Sequence, residues 1–464
     1  MGTEARNQEE KKNYSMMKKI VCFMLGLLAM AGCGTDDSTP NTKQEAAITV
    51  STEKYSWDAT VTEQQVEMTA KSRWTAKSNV GWCEPWKSSG DADDKLVLWV
   101  SPNITGTARS GELKVTSGGE TKTIRLEQPA YSGSVDNYEY KLPVVFHVLW
   151  KDRNDDKQYV KKGRLAEIIK KVNKLYSDNG VKVQFEMAKY DEDGNELEEA
   201  GVMRHEVDFD DFDPEVFLSD DPSAKPYAKL GQNYKRFINL YTFKFGGDGE
   251  DVLGISPLPM MPKKHPLDSL ATQDGLENYT HVSTPWGCCI NNESIYSESD
   301  KYYMQDDVVV TVAHELGHYL GLLHTFSENG CEEDDACSDT KLSNYPWYLE
   351  TLEQRIKEQL EADPDYQFNL IDLTNRLDCI SSTWFNADNI MDYAYCLSNV
   401  FTKQQIARMR HVLYYCAMLN GPKLEDYLSA SRSVSRGASA QKIPQVLSGC
   451  PSRPTITKWA TVGR

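Results

Sequence analysis

The sequence predicts a multidomain chain, an all-β sandwich followed by a larger α+β domain with a mixed sheet built around one histidine-bearing helix. Three observations carry this expectation. Residues 46–130 break into short segments of alternating polarity separated by turn-rich stretches, the period of half-buried strands. From Leu142 an apolar run (LPVVFHVLW) is followed by a helical period over Lys161 to Tyr176. Alternation then resumes at Val181, Val183, Phe185 and Met187, giving strand, helix, strand. Finally, His314 to His324 reads HELGHYLGLLH after an acidic entry at Asp306 and Asp307 and an apolar run to Ala313, the pattern of a helix entered with negative charge.

The 464 residues carry a net charge of −18, which argues against nucleic acid or anionic lipid as a partner. At the start, Lys18 and Lys19 precede an apolar run from Ile20 to Ala31 and then Gly32-Cys33. A basic start and a core too short for a permanent span read as a signal peptide within residues 1–33. Ala31-Gly32-Cys33 resembles the bacterial lipobox, which implies that Cys33 is lipidated; an ordinary cleaved secretory signal is the alternative. Residues 34–45 read as a flexible tether. Its Asp36 and Asp37 resemble the acidic tag of Bacteroides-type surface lipoproteins, so the expected location is the outer membrane, at the cell surface.

Within residues 46–130 the candidate strands are Ile48 to Ser51, Val66 to Ala70, Leu96 to Val100, Gly111 to Thr116 and Thr121 to Gln128. Trp74, Trp82, Trp86 and Trp99 are the expected core. The order Trp74, Trp82, Ser101-Pro102-Asn103, Arg109-Ser110-Gly111 and Leu126-Glu127-Gln128 resembles BACON modules, which implies an immunoglobulin-like sandwich acting either as a glycan contact or as a spacer.

Residues 131–140 read as a polar linker, and 141–420 as the second domain. There Leu165, Ile168, Ile169, Val172 and Leu175 share one helical face, and Gly180 can close that helix. Asp191 to Asn195 (DEDGN) predicts a hairpin turn, and Phe237 to Phe245 a strand. Thr402 with Gln405 predicts a capping box opening a helix to about Leu419. Residues 421–464 lack a period and read as linker or disorder.

At the central helix, His314 and His318 stand one turn apart and project from one face. There they can hold a zinc ion, while Glu315 is placed to take a proton from water at the metal. Gly321 can adopt the positive φ that ends a helix and let the chain return His324 as a third ligand. Val309, Val312, Ala313, Leu316 and Leu320 form the apolar stripe that buries the helix. The other five histidines (His147, His205, His265, His281 and His411) lack ligand spacing.

The eleven-residue pattern resembles the metzincin zinc endopeptidases, whose zincin-like fold includes a methionine turn. That resemblance implies that Met391 in Asn389-Ile390-Met391-Asp392-Tyr393 is the turn methionine. It also implies that Tyr393 approaches the metal or the oxyanion, a buried structural aromatic being the alternative. HYLGLLHTF at His318 to Phe326, Asp339-Thr340 and Asn389 to Cys396 resemble the pappalysin branch in particular. Within that resemblance, Val252 to Pro259, including Gly254, Ile255 and Ser256, is an exposed upper-rim strand that pairs with extended peptide; a buried strand ended by proline is the alternative. Four cysteines, Cys331, Cys337, Cys379 and Cys396, suggest two disulfides with three pairings. The resemblance favours Cys331 with Cys379 and Cys337 with Cys396. Glu332, Glu333, Asp334, Asp335 and Asp339 leave a calcium ion or a solvated loop open. The expected activity is peptide-bond hydrolysis of an extended protein or peptide substrate. A surface glycan- or protein-binding lipoprotein with an inactive metallo-domain is the alternative.

Overall fold

The computed structural model describes residues 46–278, 282–299, 307–425 and 447–451. Cys33 with its leader and tether, His281, Asp306 and most of the tail lie outside the described residues. Among the described residues no helix is long and apolar enough to cross a membrane.

Alternation builds the first fold as expected. In Trp74–Ser78 every second residue is buried, and Leu96, Leu98 and Val100 do the same in Leu96–Val100. A five-stranded sheet runs in the order Lys54–Ser56, Glu120–Gln128, Arg109–Ser117, Trp74–Ser78 and Ser89–Gly90. A three-stranded sheet is formed by Glu63–Val66, Leu96–Val100 and Cys83–Pro85. Both contribute to one core that includes Trp74, Trp82, Leu98, Leu113 and Ile124.

The expected four-tryptophan core is corrected to two of those four. Trp99 falls between the inward Leu98 and Val100 and so faces outward. It and Trp86 flank the guanidinium of Arg236, whose carbon lies 4.9 and 5.0 Å from the two rings. Arg236 also pairs with Glu84 at 2.7 Å. The outward tryptophans thus join the sandwich to the second fold.

The second fold is a seven-stranded mixed sheet. Its members are β1 (Tyr140–Trp150), β2 (Val183–Met187), β3 (Val202–Glu206), β4 (Ile238–Phe243), β5 (Val252–Pro257), β6 (Cys288–Asn291) and β7 (Leu447–Pro451). The order is β2-β1-β4-β6-β5-β7, with β3 continuing along the β2 side of β1. The pairs within β2-β1-β4-β6 are parallel, while β5 is antiparallel to β6 and to β7. Central β1 and β4 are nearly continuous apolar runs, as strands covered on both faces must be.

Helix α1 (Arg164–Asp178) links β1 to its parallel neighbour β2 and buries the predicted face. Gly180 closes it at φ 74°, with Gly180 N donating to Ser177 O and Val181 N to Tyr176 O, a Schellman pair. Helix α2 (Val308–Tyr319) lies against α1 and β5, and its twelve residues are all buried. Helices α3 (Tyr345–Ala362) and α4 (Lys403–Tyr415) follow, α4 with both halves of the Thr402/Gln405 capping box. The DEDGN turn forms as expected, Asp191 Oδ1 accepting from the backbone of Asp193 and Asn195.

Two stretches expected to be loose are packed. Tyr138 and Tyr140 are buried and meet edge to face at 5.1 Å, because the aromatic side chains of residues 131–140 have a core to reach. The tail, expected as linker or disorder, supplies β7, because β5 offers it an edge of backbone donors and acceptors.

Candidate metal centre and cleft

Local chain geometry brings the three histidines together. Asp307 caps α2, its side chain accepting from Val309 N at 2.8 Å. At the other end Gly321 adopts φ 91°, with Gly321 N donating to His318 O and Leu322 N to Gly317 O. This second Schellman turn reverses the chain and returns His324. A Cβ on Gly321 would lie 2.6 Å from Val412 Cγ2, so close packing against α4 also favours glycine here.

His318 Nε2 lies 2.9 Å from His314 Nε2 and 3.0 Å from His324 Nε2. The outward Nδ1 atoms of His314 and His318 donate to Ile390 O at 2.8 Å and Leu322 O at 2.9 Å. Those donations place the protons on Nδ1 and leave lone pairs on the Nε2 atoms that face each other. Lone pairs at this separation repel unless a cation lies between them. Burial also disfavours protonation, holding His314 down to about 4. Three neutral imidazole donors therefore fit a metal ion, and two ligands at 2.0–2.1 Å in a tetrahedron would stand roughly 3.3 Å apart.

Glu315 is fully buried beside this cluster, and neither carboxylate oxygen has a hydrogen-bond partner within the protein. Burial pushes its carboxyl well above the usual carboxylate range. β5 passes over it so closely that a Cβ on Gly254 would lie 2.7 Å from Glu315 Cγ. An orphaned carboxylate beside a ligand triad is a demand for a water or a reacting group.

Met391 is fully buried beneath α2, and Tyr393 packs its ring 4.3 Å from that of His324 and 5.7 Å from that of His314. Asn389 Oδ1 accepts from Met391 N at 2.9 Å. The Asn389 amide exchanges hydrogen bonds with Gln405, the capping-box residue, so the turn is tied to α4. Gly254, Ile255 and Ser256 lie on β5, but all three are buried and the strand is not exposed on its cleft side. The free rim edge expected from the sequence is occupied by β7.

Cys331 and Cys379 form a disulfide. Cys337 and Cys396 do not pair; each is a buried free thiol, which corrects the second expected bridge. Cys396 Sγ is held inside its own loop, donating to Asn389 O at 3.2 Å and accepting from Ser398 N at 3.3 Å. Calcium finds no support. Asp335 turns inward to accept from Cys337 N and Thr340 Oγ1. Among the described residues only His314, His318 and His324 converge as a candidate metal-holding group.

Residues 268–414 match the peptidase family model described as pregnancy-associated plasma protein-A, a stretch that includes the triad, Met391 and all but the last residue of α4. The match makes this stretch similar to pappalysin-type metallopeptidases. Residues 72–129 match the BACON model, described as a putative binding domain, N-terminal. An extracellular metalloprotease of Arthroderma benhamiae is 38% identical over 110 residues, 21% of this chain and 33% of that protein. One from Arthroderma otae is 31% identical over 88 residues, 19% of this chain and 27% of that protein. The chain thus spans a third or less of the curated relatives it matches. A protein from Bacteroides thetaiotaomicron solved by NMR aligns with 22% of this chain and 100% of its own at 17% identity and a TM-score of 0.16, too low to carry an argument.

Two arginines brace the triad and the turn beneath it and were not singled out by spacing. Arg408 donates from Nε to Gly321 O at 2.6 Å and from Nη2 to Asp268 O at 2.7 Å, pinning the turn that returns His324. Fully buried Arg376 pairs with Asp392 and donates to the carbonyl of Tyr393, with its guanidinium 4.3 Å above the Tyr348 ring. Arg408 sits one position off the apolar stripe of α4. Arg376 lies among polar residues with no period, where nothing local marks it as buried.

Proposed function

We propose that this chain is a zinc-dependent endopeptidase that hydrolyses peptide bonds in extended segments of extracellular proteins laid along the outer edge of β5, beside α2. The observation that carries this reading is the buried, unpartnered carboxylate of Glu315 beside three converging imidazoles. The name of the fungal relatives, extracellular metalloprotease, supports it. Zinc, when bound, supplies Lewis acidity toward the scissile carbonyl and lowers the pKa of a coordinated water toward neutrality.

The protein's own groups do the rest. Glu315, whose carboxylate has no partner within the protein, accepts the proton of the attacking water and returns it to the leaving amine. The carbonyls of Ile390 and Leu322 fix the tautomers that present Nε2. Tyr393, seated against His324, offers its phenol to the developing oxyanion. Where β7 has left it, the backbone of Gly254 to Ser256 aligns the peptide as an added strand, a mode that reads main chain first. Export on a lipid at Cys33 to the outer-membrane surface belongs to the same proposal, as does glycan contact through the BACON module; the basic, apolar, Gly-Cys order of the leader supports the anchor.

The test is Glu315→Ala in the full chain. It should retain one zinc per chain by elemental analysis while cleavage of an unfolded protein falls at least a thousandfold. Undiminished cleavage by this variant removes the mechanism.

A further inference from the structure

β5 has β6 on one side and presents its face at Gly254 to Glu315, so its other edge borders the triad, where a residue paired to it stands 3.3 Å from His324 Nε2. A strand edge bordering a reactive centre is where an extended peptide gains main-chain hydrogen bonds. That edge is taken by the chain's own residues. Leu447–Pro451 pairs antiparallel with β5, from Pro257 opposite Leu447, through Ser256 opposite Ser448 and Ile255 opposite Gly449, to Val252 opposite Pro451.

Two side chains fasten the segment. Leu447 packs on the apolar cluster that contains Tyr241, Phe243, Phe245 and Ile255. Ser448 Oγ stands 3.3 Å from Nε2 of His324, the nitrogen turned toward the other two imidazoles. The segment therefore meets both the strand that would align a substrate and the ligand set that would act on it. A second peptide cannot use the same donors and acceptors of β5 while it is in place.

We propose that residues 447–451 are a built-in occupant of the substrate strand position, so that peptide reaches the edge of β5 only in the fraction of full-length molecules from which this segment has left. This rests on the cleft reading given above. The surface is the outer edge of β5, and the partner that fits it is an extended stretch of this same chain bearing a leucine anchor and a serine toward the triad.

The test uses the zinc-loaded full chain and the variant Leu447→Asp/Gly449→Pro, which removes the apolar anchor and stiffens the added strand. Cleavage of a quenched fluorescent peptide library should rise at least tenfold in kcat/KM, with zinc content and circular dichroism unchanged. A synthetic peptide of residues 445–453 carrying Cys450→Ser should inhibit the variant, while a scrambled peptide should not. A second arm reads binding alone, in Glu315→Ala backgrounds. There the same peptide, labelled, should bind the opened variant at least tenfold more tightly than the closed chain by fluorescence anisotropy.

Equal or lower activity in the opened variant with equal peptide binding overturns the proposal. So does mass spectrometry showing that the wild-type chain clips itself within 447–451, which would make the segment a substrate. Absence of cleavage in both proteins together with the binding difference removes the endopeptidase reading and leaves the occupancy standing.

Discussion

A Cβ on Gly317 would lie 2.6 Å from the sulfur of Met391, so the methionine turn touches α2 at the residue just before His318. Met391 is fully buried and His314 donates to the carbonyl of Ile390 beside it. The close approach of turn and helix is thus what sets the height of the triad above its floor.

Gly317→Ala is expected to push the turn away from the helix. Overpacking of this kind costs about 1–3 kcal/mol, and the ligand displacement should weaken zinc at least tenfold. Chelator competition and thermal unfolding measure the two effects. Adding Met391→Ala removes the clash and should return part of both losses, so a strictly additive double variant contradicts the relationship.

Arg376 and Asp392 form a buried ion pair under the same turn. Arg376→Met leaves the Asp392 charge buried and unpaired, which costs about 3–5 kcal/mol. Arg376→Met/Asp392→Leu removes both charges and should be less destabilised than the single variant in urea unfolding. A double variant as unstable as the single would show that the pair's charges are not what holds the turn.

His147 and His205 stack 3.1 Å apart between ring nitrogens, and His147 also bonds Asn239 at 2.9 Å. Burial pushes His147 down to about 3 and His205 down to about 4. Unfolded imidazoles titrate at about 6.5, so between that pH and about 4 the unfolded chain binds more protons than the folded one. Stability is therefore fully present above about pH 7 and falls as pH drops, by at most about 1.4 kcal/mol per pH unit per histidine. His205→Gln should shallow the acid limb of stability against pH relative to wild type. The triad histidines titrate in both proteins, so the difference isolates the pair; identical acid limbs would exclude it.

Much of the metal site was legible in the chain because it is encoded locally. His314 and His318 are one turn apart, Asp307 caps the helix, and Gly321 closes it in a conformation that favours glycine. Backbone geometry over some fifteen residues is enough to converge three imidazoles. The same holds for α1 and Gly180, and for the capping box at Thr402.

What the tertiary structure decided is non-local. Cys337 and Cys396 are both buried thiols that the fold keeps unpaired, Cys396 lying against Asn389 O. Trp86 and Trp99, outside the sandwich core, find their partner in Arg236 of the second fold, more than 130 residues later. Arg376 is buried only because Asp392 and the Tyr393 carbonyl surround it. The tail looked aperiodic because a five-residue strand carries too short a pattern to read, and its partner, β5, lies about 190 residues earlier. Helical spacing determined which residues could bind a metal, while pairing between distant strands decided what lies over them, since strand pairing depends on partners that no local window contains.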